Sequence, residues 1–234
     1  MPYFYTFDWT YIVFILPCII IAAICQINVQ STFSKYSKIG NSRNMTGAQA
    51  AEFVLRQNGV SGVRIEHVGG NLTDHFDPRT NVIRLSDTVY NSTSVAAVGV
   101  ACHEAGHAVQ HAQNYLPNRI RGAILPLAQV GSKLSWILII AGLFFTAKIG
   151  FTLLYIGIIL FSLSVLFTIA TLPVEFNASK RALECIKNSE LLYGEEYKGA
   201  KRTLQAAAMT YVASALTAIM QLARLIFIAR RRNN

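Results

Sequence analysis

Two strongly apolar stretches of this chain, Trp9 to Ser34 and Ile149 to Leu172, carry no charge at all. Nothing else limits the fold as much. About 20 apolar residues in a helix cross the roughly 30 Å hydrocarbon core of a bilayer, and both stretches exceed that length. A third apolar run, Leu134 to Ala147, lies between Lys133 and Lys148. The expected layout is an N-terminal transmembrane anchor over 9–29 and a helical hairpin over 125–172. Its spans run from about Leu125 to Ala147 and from Ile149 to Leu172. Composition agrees: 53% of residues are hydrophobic and 14% charged, too apolar for an ordinary soluble domain. Asp8 precedes the first span, and Lys35, Lys38 and Arg43 follow it. That order is the reverse of a cleaved signal peptide and predicts an uncleaved anchor with its N-terminus outside. Pro17 is a candidate kink.

Residues 35–123 read as a soluble block. Thr46 and Gln49 have capping-box spacing, and Gly47 to Asn58 reads as a helix ended by Gly59. Val63 to Val68 and Asn81 to Leu85 read as two short strands, with a turn at Gly69-Gly70-Asn71 between them. A helix is expected from Ser94 to Asn114, stopped before Pro117. Residues 173–234 open with a polar helical stretch, Glu175 to Arg202. Thr203 to Ala223 is uncharged but rich in Ala, Thr and Ser, and Arg224 and Arg230 to Arg232 close the chain. Three spans place those arginines in the cytoplasm. The last helix is therefore expected to pack on the catalytic domain or to lie on the membrane surface.

The net charge of +9 flanks the apolar runs and points to anionic lipid. No basic stripe with interleaved aromatics suggests nucleic acid. The four cysteines, Cys18, Cys25, Cys102 and Cys185, form no C-x-x-C pair and read as reduced, buried thiols.

Chemistry enters at His103-Glu104-Ala105-Gly106-His107, an H-E-x-x-H motif in the expected helix. Residues four apart share a helix face, so the two imidazoles can bind one Zn²⁺. Glu104 is placed to take a proton from a water on that ion. A third ligand must come from elsewhere. The extended motif ending in a third histidine fails, because Gln110 and Gln113 stand at its last two positions. His111 lies on the same face but about 12 Å along the axis from His103, too far to share an ion. A carboxylate remains. Glu175, in Leu172-Pro173-Val174-Glu175-Phe176, stands alone where a span ends, which is costly without a partner. Its alternative role is to complement a helix N-terminus. Glu184, Glu190, Glu195 and Glu196 lie in a more charged stretch and read as solvated.

The order of span, small domain, H-E-x-x-H helix, hairpin and Glu-bearing helix resembles the membrane gluzincin metalloproteases. These include the heat-shock membrane protease and prenyl-protein endopeptidase families. The chain is more closely similar to the YugP-type membrane zinc metallopeptidases. Phe76-Asp77-Pro78-Arg79-Thr80, Ile83-Arg84-Leu85-Ser86, His103 to Gln110 and Leu172 to Phe176 carry that resemblance. It implies a mostly α fold with a small β-sheet, an α+β zincin-like domain anchored by transmembrane helices. It also implies that His103, His107 and Glu175 bind one zinc ion and that Glu104 is the catalytic acid/base. Many gluzincins have an Asp four residues after the Glu ligand to orient a histidine. Here that residue is Ser179, with Asn177 as the nearby alternative.

The expected activity is hydrolysis of peptide or protein substrates at the cytoplasmic face of a bacterial plasma membrane. His75 is the preferred oxyanion donor, with Tyr211 and Arg181 as rivals. The plainer reading of His75 is a loop histidine bonded to Asp74 or Asp77, and His67 reads as a strand residue. Val82, Ile83 and Arg84 are expected either to align substrate along a strand edge or only to build the core. Two other classes share parts of this pattern. A site-2-type intramembrane protease needs an acid within a second span, and Ile149 to Leu172 has none. A non-enzymatic metal-binding adaptor would have no use for Glu104.

Overall fold

The computed structural model describes residues 9–145 and 147–233. The elements are α1 (Trp9–Phe14), α2 (Leu16–Tyr36), α3 (Gly47–Gln57), β1 (Arg64–Val68), β2 (His75–Asp77), β3 (Val82–Ser86), α4 (Val95–Ala112), α5 (Leu116–Phe144), α6 (Ala147–Asn188) and α7 (Glu195–Asn233). The protein is mostly α with one small sheet. It divides into two units. Of the described residues, a globular unit holds 25–119 and 172–210, and an apolar unit holds 9–24, 120–145, 147–171 and 211–233.

In the globular unit, local signals set the helix starts. Thr46 Oγ1 accepts from Gln49 N at 3.3 Å, and Gln49 Oε1 accepts from Thr46 N at 2.9 Å, a complete capping box. Ser94 Oγ accepts from Ala97 N at 3.1 Å and starts α4. Ala50, Ala51, Val54 and Leu55 of α3 join Val95, Val98, Ala101, Cys102, Ala105 and Val109 of α4 in one buried core. The small residues of α4 allow it to be buried nearly all round, so it is the central rod of this unit.

The sheet has the order β1-β3-β2. β1 runs parallel to β3, with Ile65 opposite Ile83, and β2 runs antiparallel to it, with Phe76 opposite Ile83. This adds β2 to the two strands legible in the sequence and, of the two readings of Val82, Ile83 and Arg84, favours the core strand over the substrate-aligning edge. β3 is the central strand, so its main-chain groups are shared with neighbours on both sides. Val82, Ile83 and Leu85 are fully buried, and a short, nearly continuous apolar run is what a strand covered on both faces requires. The edges belong to β1 and β2, and β2 lies against α4.

Among the described residues, four helices are long and apolar enough to cross a membrane: Trp9–Tyr36, Leu116–Phe144, Lys148–Asn188 and Glu195–Arg232. Three were expected, and the fourth meets the same test of length and composition. α6 runs unbroken through Pro173, so the expected second hairpin span and the Glu175 helix are one element. Within the apolar unit, Ile139, Leu154, Ile158, Phe161 and Val165 of the hairpin pack with Leu225 and Ala229 of α7. A Cβ on Gly142 would lie 2.6 Å from Leu154 N, so only glycine lets the hairpin helices come this close. Arg224 Nε donates to Thr10 Oγ1 at 3.0 Å, and Trp9 meets Phe227 edge to face at 5.6 Å. Arg232 donates to the carbonyls of Gly142 and Phe145 and lies 5.3 Å from the Phe151 ring centre. The last turn of α7 therefore reaches the α5–α6 connection.

Candidate metal centre

His103 and His107 stand one turn apart on α4, and Glu175 reaches them from α6. Gly106 makes the meeting possible: a Cβ there would lie 2.8 Å from Ala178 O, so the two helices touch backbone to backbone. Ring nitrogens and carboxylate then converge. His103 Nε2 and His107 Nε2 are 3.1 Å apart, and Glu175 Oε2 is 3.3 Å from the first and 3.4 Å from the second. Glu175 is only 3% exposed.

Three atoms that present lone pairs to one spot repel each other unless positive charge sits among them. The field there favours such charge. Burial alone would lower the pKa of His107, yet the bond to Glu175 and the charges of Glu104 and Glu175 hold it above the ordinary imidazole value. The spacing also fits a metal. A tetrahedral ion with bonds of about 2.0–2.1 Å has donor–donor edges of about 3.3–3.4 Å. The observed separations of 3.1, 3.3 and 3.4 Å match the spacing of three such donors. His103, His107 and Glu175 are thus a group that could hold a metal ion.

Each imidazole has a partner behind it. Ser179 Oγ lies 3.1 Å from His103 Nδ1. Gln110 Oε1 lies 3.1 Å from His107 Nδ1. Asn177 touches neither ring; its Oδ1 accepts from Gln110 Nε2 at 3.0 Å and from Arg181 Nε at 2.7 Å. Sequence reasoning missed Gln110 as a partner. Its signal was a lone polar residue three positions after His107, on the same helix face. Glu104 is buried on α4 between the two histidines.

The other residues singled out from the sequence lie elsewhere. His75 is exposed on β2 with Nδ1 2.8 Å from Thr73 O. Its bond goes to neither aspartate: Asp74 accepts from Ser86 N and Oγ, and Asp77 from Arg79 N, Thr80 and Arg84. Arg181 Nη1 donates to Gln113 Oε1 at 2.6 Å, and Tyr211 belongs to the apolar unit. His111 packs its ring 5.7 Å from that of Phe76, and His67 pairs with Asp87 at 2.6 Å. Cys102 is buried in the core of α4, where desolvation raises its pKa. Glu184 pairs with Lys180 at 3.8 Å, Glu195 with Lys198 at 2.6 Å, and Glu196 binds Ser42 N at 2.9 Å.

The profile of a family described as "Putative neutral zinc metallopeptidase" matches residues 11–230. A protein of Bacillus subtilis (strain 168) named "Putative membrane protease YugP" is 42% identical over 203 residues, which cover 87% of this chain and 89% of that one. No solved structure matches.

Proposed function

This chain belongs to the neutral zinc metallopeptidase family, and we propose that it is a membrane-anchored zinc endopeptidase that cleaves peptide or protein substrates. The reading rests on one observation: two imidazole nitrogens and a buried carboxylate oxygen spaced as three corners of a zinc tetrahedron.

In this mechanism His103, His107 and Glu175 hold the ion. When bound, zinc supplies Lewis acidity, which activates water and polarises the scissile carbonyl. Glu104 takes the proton of the attacking water and delivers it to the leaving amine. Ser179 and Gln110 keep the two rings aimed inward. His75 is the proposed donor to the developing oxyanion, brought in from β2. Because Val82, Ile83 and Arg84 are enclosed in the sheet, the role of aligning an extended substrate passes to β2, the edge strand against α4. Lys35, Lys38 and Arg43 directly follow the first span and favour a cytoplasmic globular unit in a bacterial plasma membrane.

Purified protein is expected to carry one equivalent of zinc and to degrade an unstructured protein such as casein. Glu104→Ala should retain the metal and lose at least about 100-fold of the activity. Glu175→Ala should lose the metal, whereas Glu184→Ala should keep it. Elemental analysis beside a casein assay reads all three. Full metal content in Glu175→Ala would remove the carboxylate from the ligand set.

A further inference from the structure

We infer that Gln110 is a positioning residue that fixes the tautomer of His107 and couples it to the helix carrying Glu175. The inference rests on the metal reading of the site. Gln110 is fully buried, so its amide has no water to fall back on. Its orientation follows from its partners. One end lies 2.8 Å from the carbonyl oxygen of Val174, which can only accept, so that end is the NH₂ group. The second hydrogen of the same NH₂ goes to Asn177 Oδ1 at 3.0 Å, and that oxygen is identified by the donation it receives from Arg181 Nε at 2.7 Å. The atom facing His107 is therefore the amide oxygen.

An oxygen that only accepts requires a donor opposite. At 3.1 Å, His107 Nδ1 must carry its hydrogen, which leaves the Nε2 lone pair for a metal. Nothing comparable constrains His103. Its Nδ1 faces the hydroxyl of Ser179, which rotates to donate or to accept. The two ligand histidines thus differ: one tautomer is built in and the other is adjustable. Gln110 has a second effect. Its bond to Val174 O grips the backbone one residue before Glu175, so the same side chain sets one histidine ligand and locates the carboxylate ligand. Neither Asn177 nor Arg181 reaches an imidazole; they hold the amide that does.

The test uses full-length protein in detergent and zinc affinity measured against a competing chelator. Gln110→Met keeps the side-chain length and loses every bond. It is expected to weaken zinc binding about 10- to 100-fold. Asn177→Ala leaves Gln110 in place and removes one of the two acceptors that orient it, so a smaller loss is expected. Ser179→Ala is expected to cost less than Gln110→Met. In Co²⁺-loaded protein, the His107 Nδ1–H should give a hyperfine-shifted proton signal that exchanges slowly with water. Gln110→Met should lose that signal, whereas Ser179→Ala should keep it. Wild-type affinity with the signal intact in Gln110→Met overturns the role of Gln110 and leaves the metal site standing. Should Gln110→Met fail to fold, an unchanged affinity and signal in Asn177→Ala overturns it instead. Absence of zinc binding by the wild type removes the metal reading itself, and the inference with it.

Discussion

The globular and apolar units both bring helices into backbone contact through a glycine, and they use that contact for different ends. At Gly106, α4 meets α6, and the three side chains that could hold a metal ion converge within a turn of the contact. At Gly142, α5 meets α6 just as closely, and the residues it meets are Leu154 and Gly150. Among the polar contacts of the apolar unit, Arg224 meets Thr10 and Arg232 meets the hairpin carbonyls. Close helix packing is therefore common to both units. The site arises where the side chains next to the contact are histidine and glutamate.

The largest expected effect tests that contrast directly. Gly106→Val places a Cβ 2.8 Å from Ala178 O and must push α6 off α4. Zinc content of the purified protein should fall close to zero. Gly142→Val meets an equal clash, 2.6 Å from Leu154 N. It should lower the melting temperature in detergent, by an overpacking cost of about 1–3 kcal/mol, while zinc content stays at one equivalent. Equal loss of zinc in both variants would break the comparison.

A smaller effect concerns the apolar unit alone. If both hairpin helices cross the bilayer, their connection lies on the face opposite the one from which the chain enters. Arg232 bonds to that connection, so α7 should cross as well. A reporter fused after Asn234 should then lie on the same face as the N-terminus. A reporter on the face of Lys35 and Lys38 would return α7 to a packed or surface helix.

The smallest effect lies on the sheet. Bonds from Thr80 and from Arg79 N, then Arg84, pull the Asp77 carboxyl from its ordinary 3.8 to about 2. A depressed folded-state pKa stabilises the protein above the unfolded value, and the gain is lost as pH falls through the folded value. Asp77→Asn should therefore melt below wild type at pH 5 to 7, with the gap closing between about pH 4 and pH 2. Melting curves across that range measure it.

Legibility from sequence followed the range of the interactions. The caps at Thr46 and Ser94 and the H-E-x-x-H face of α4 depend on residues three or four apart, and the spacing alone reveals them. β2 has three residues beside a proline turn, too few to show alternation, so the sequence alone leaves β3 open to either an edge or a core reading. α7 escaped because Ala, Thr and Ser dilute its apolar signal and Arg224 interrupts it, although its arginines find partners only in the folded bundle. Gln110 was visible as a residue but not as a partner. Its three contacts join positions on α4 to positions more than sixty residues later on α6 and to a ring whose direction depends on them.

The order of the ligands along the chain has a consequence for synthesis. His103 and His107 leave the ribosome long before Glu175, with the whole hairpin in between. A nascent or truncated chain that stops short of Glu175 owns two donors and lacks the third. On the proposed zinc reading, the complete ligand set is therefore assembled only after the hairpin has been made.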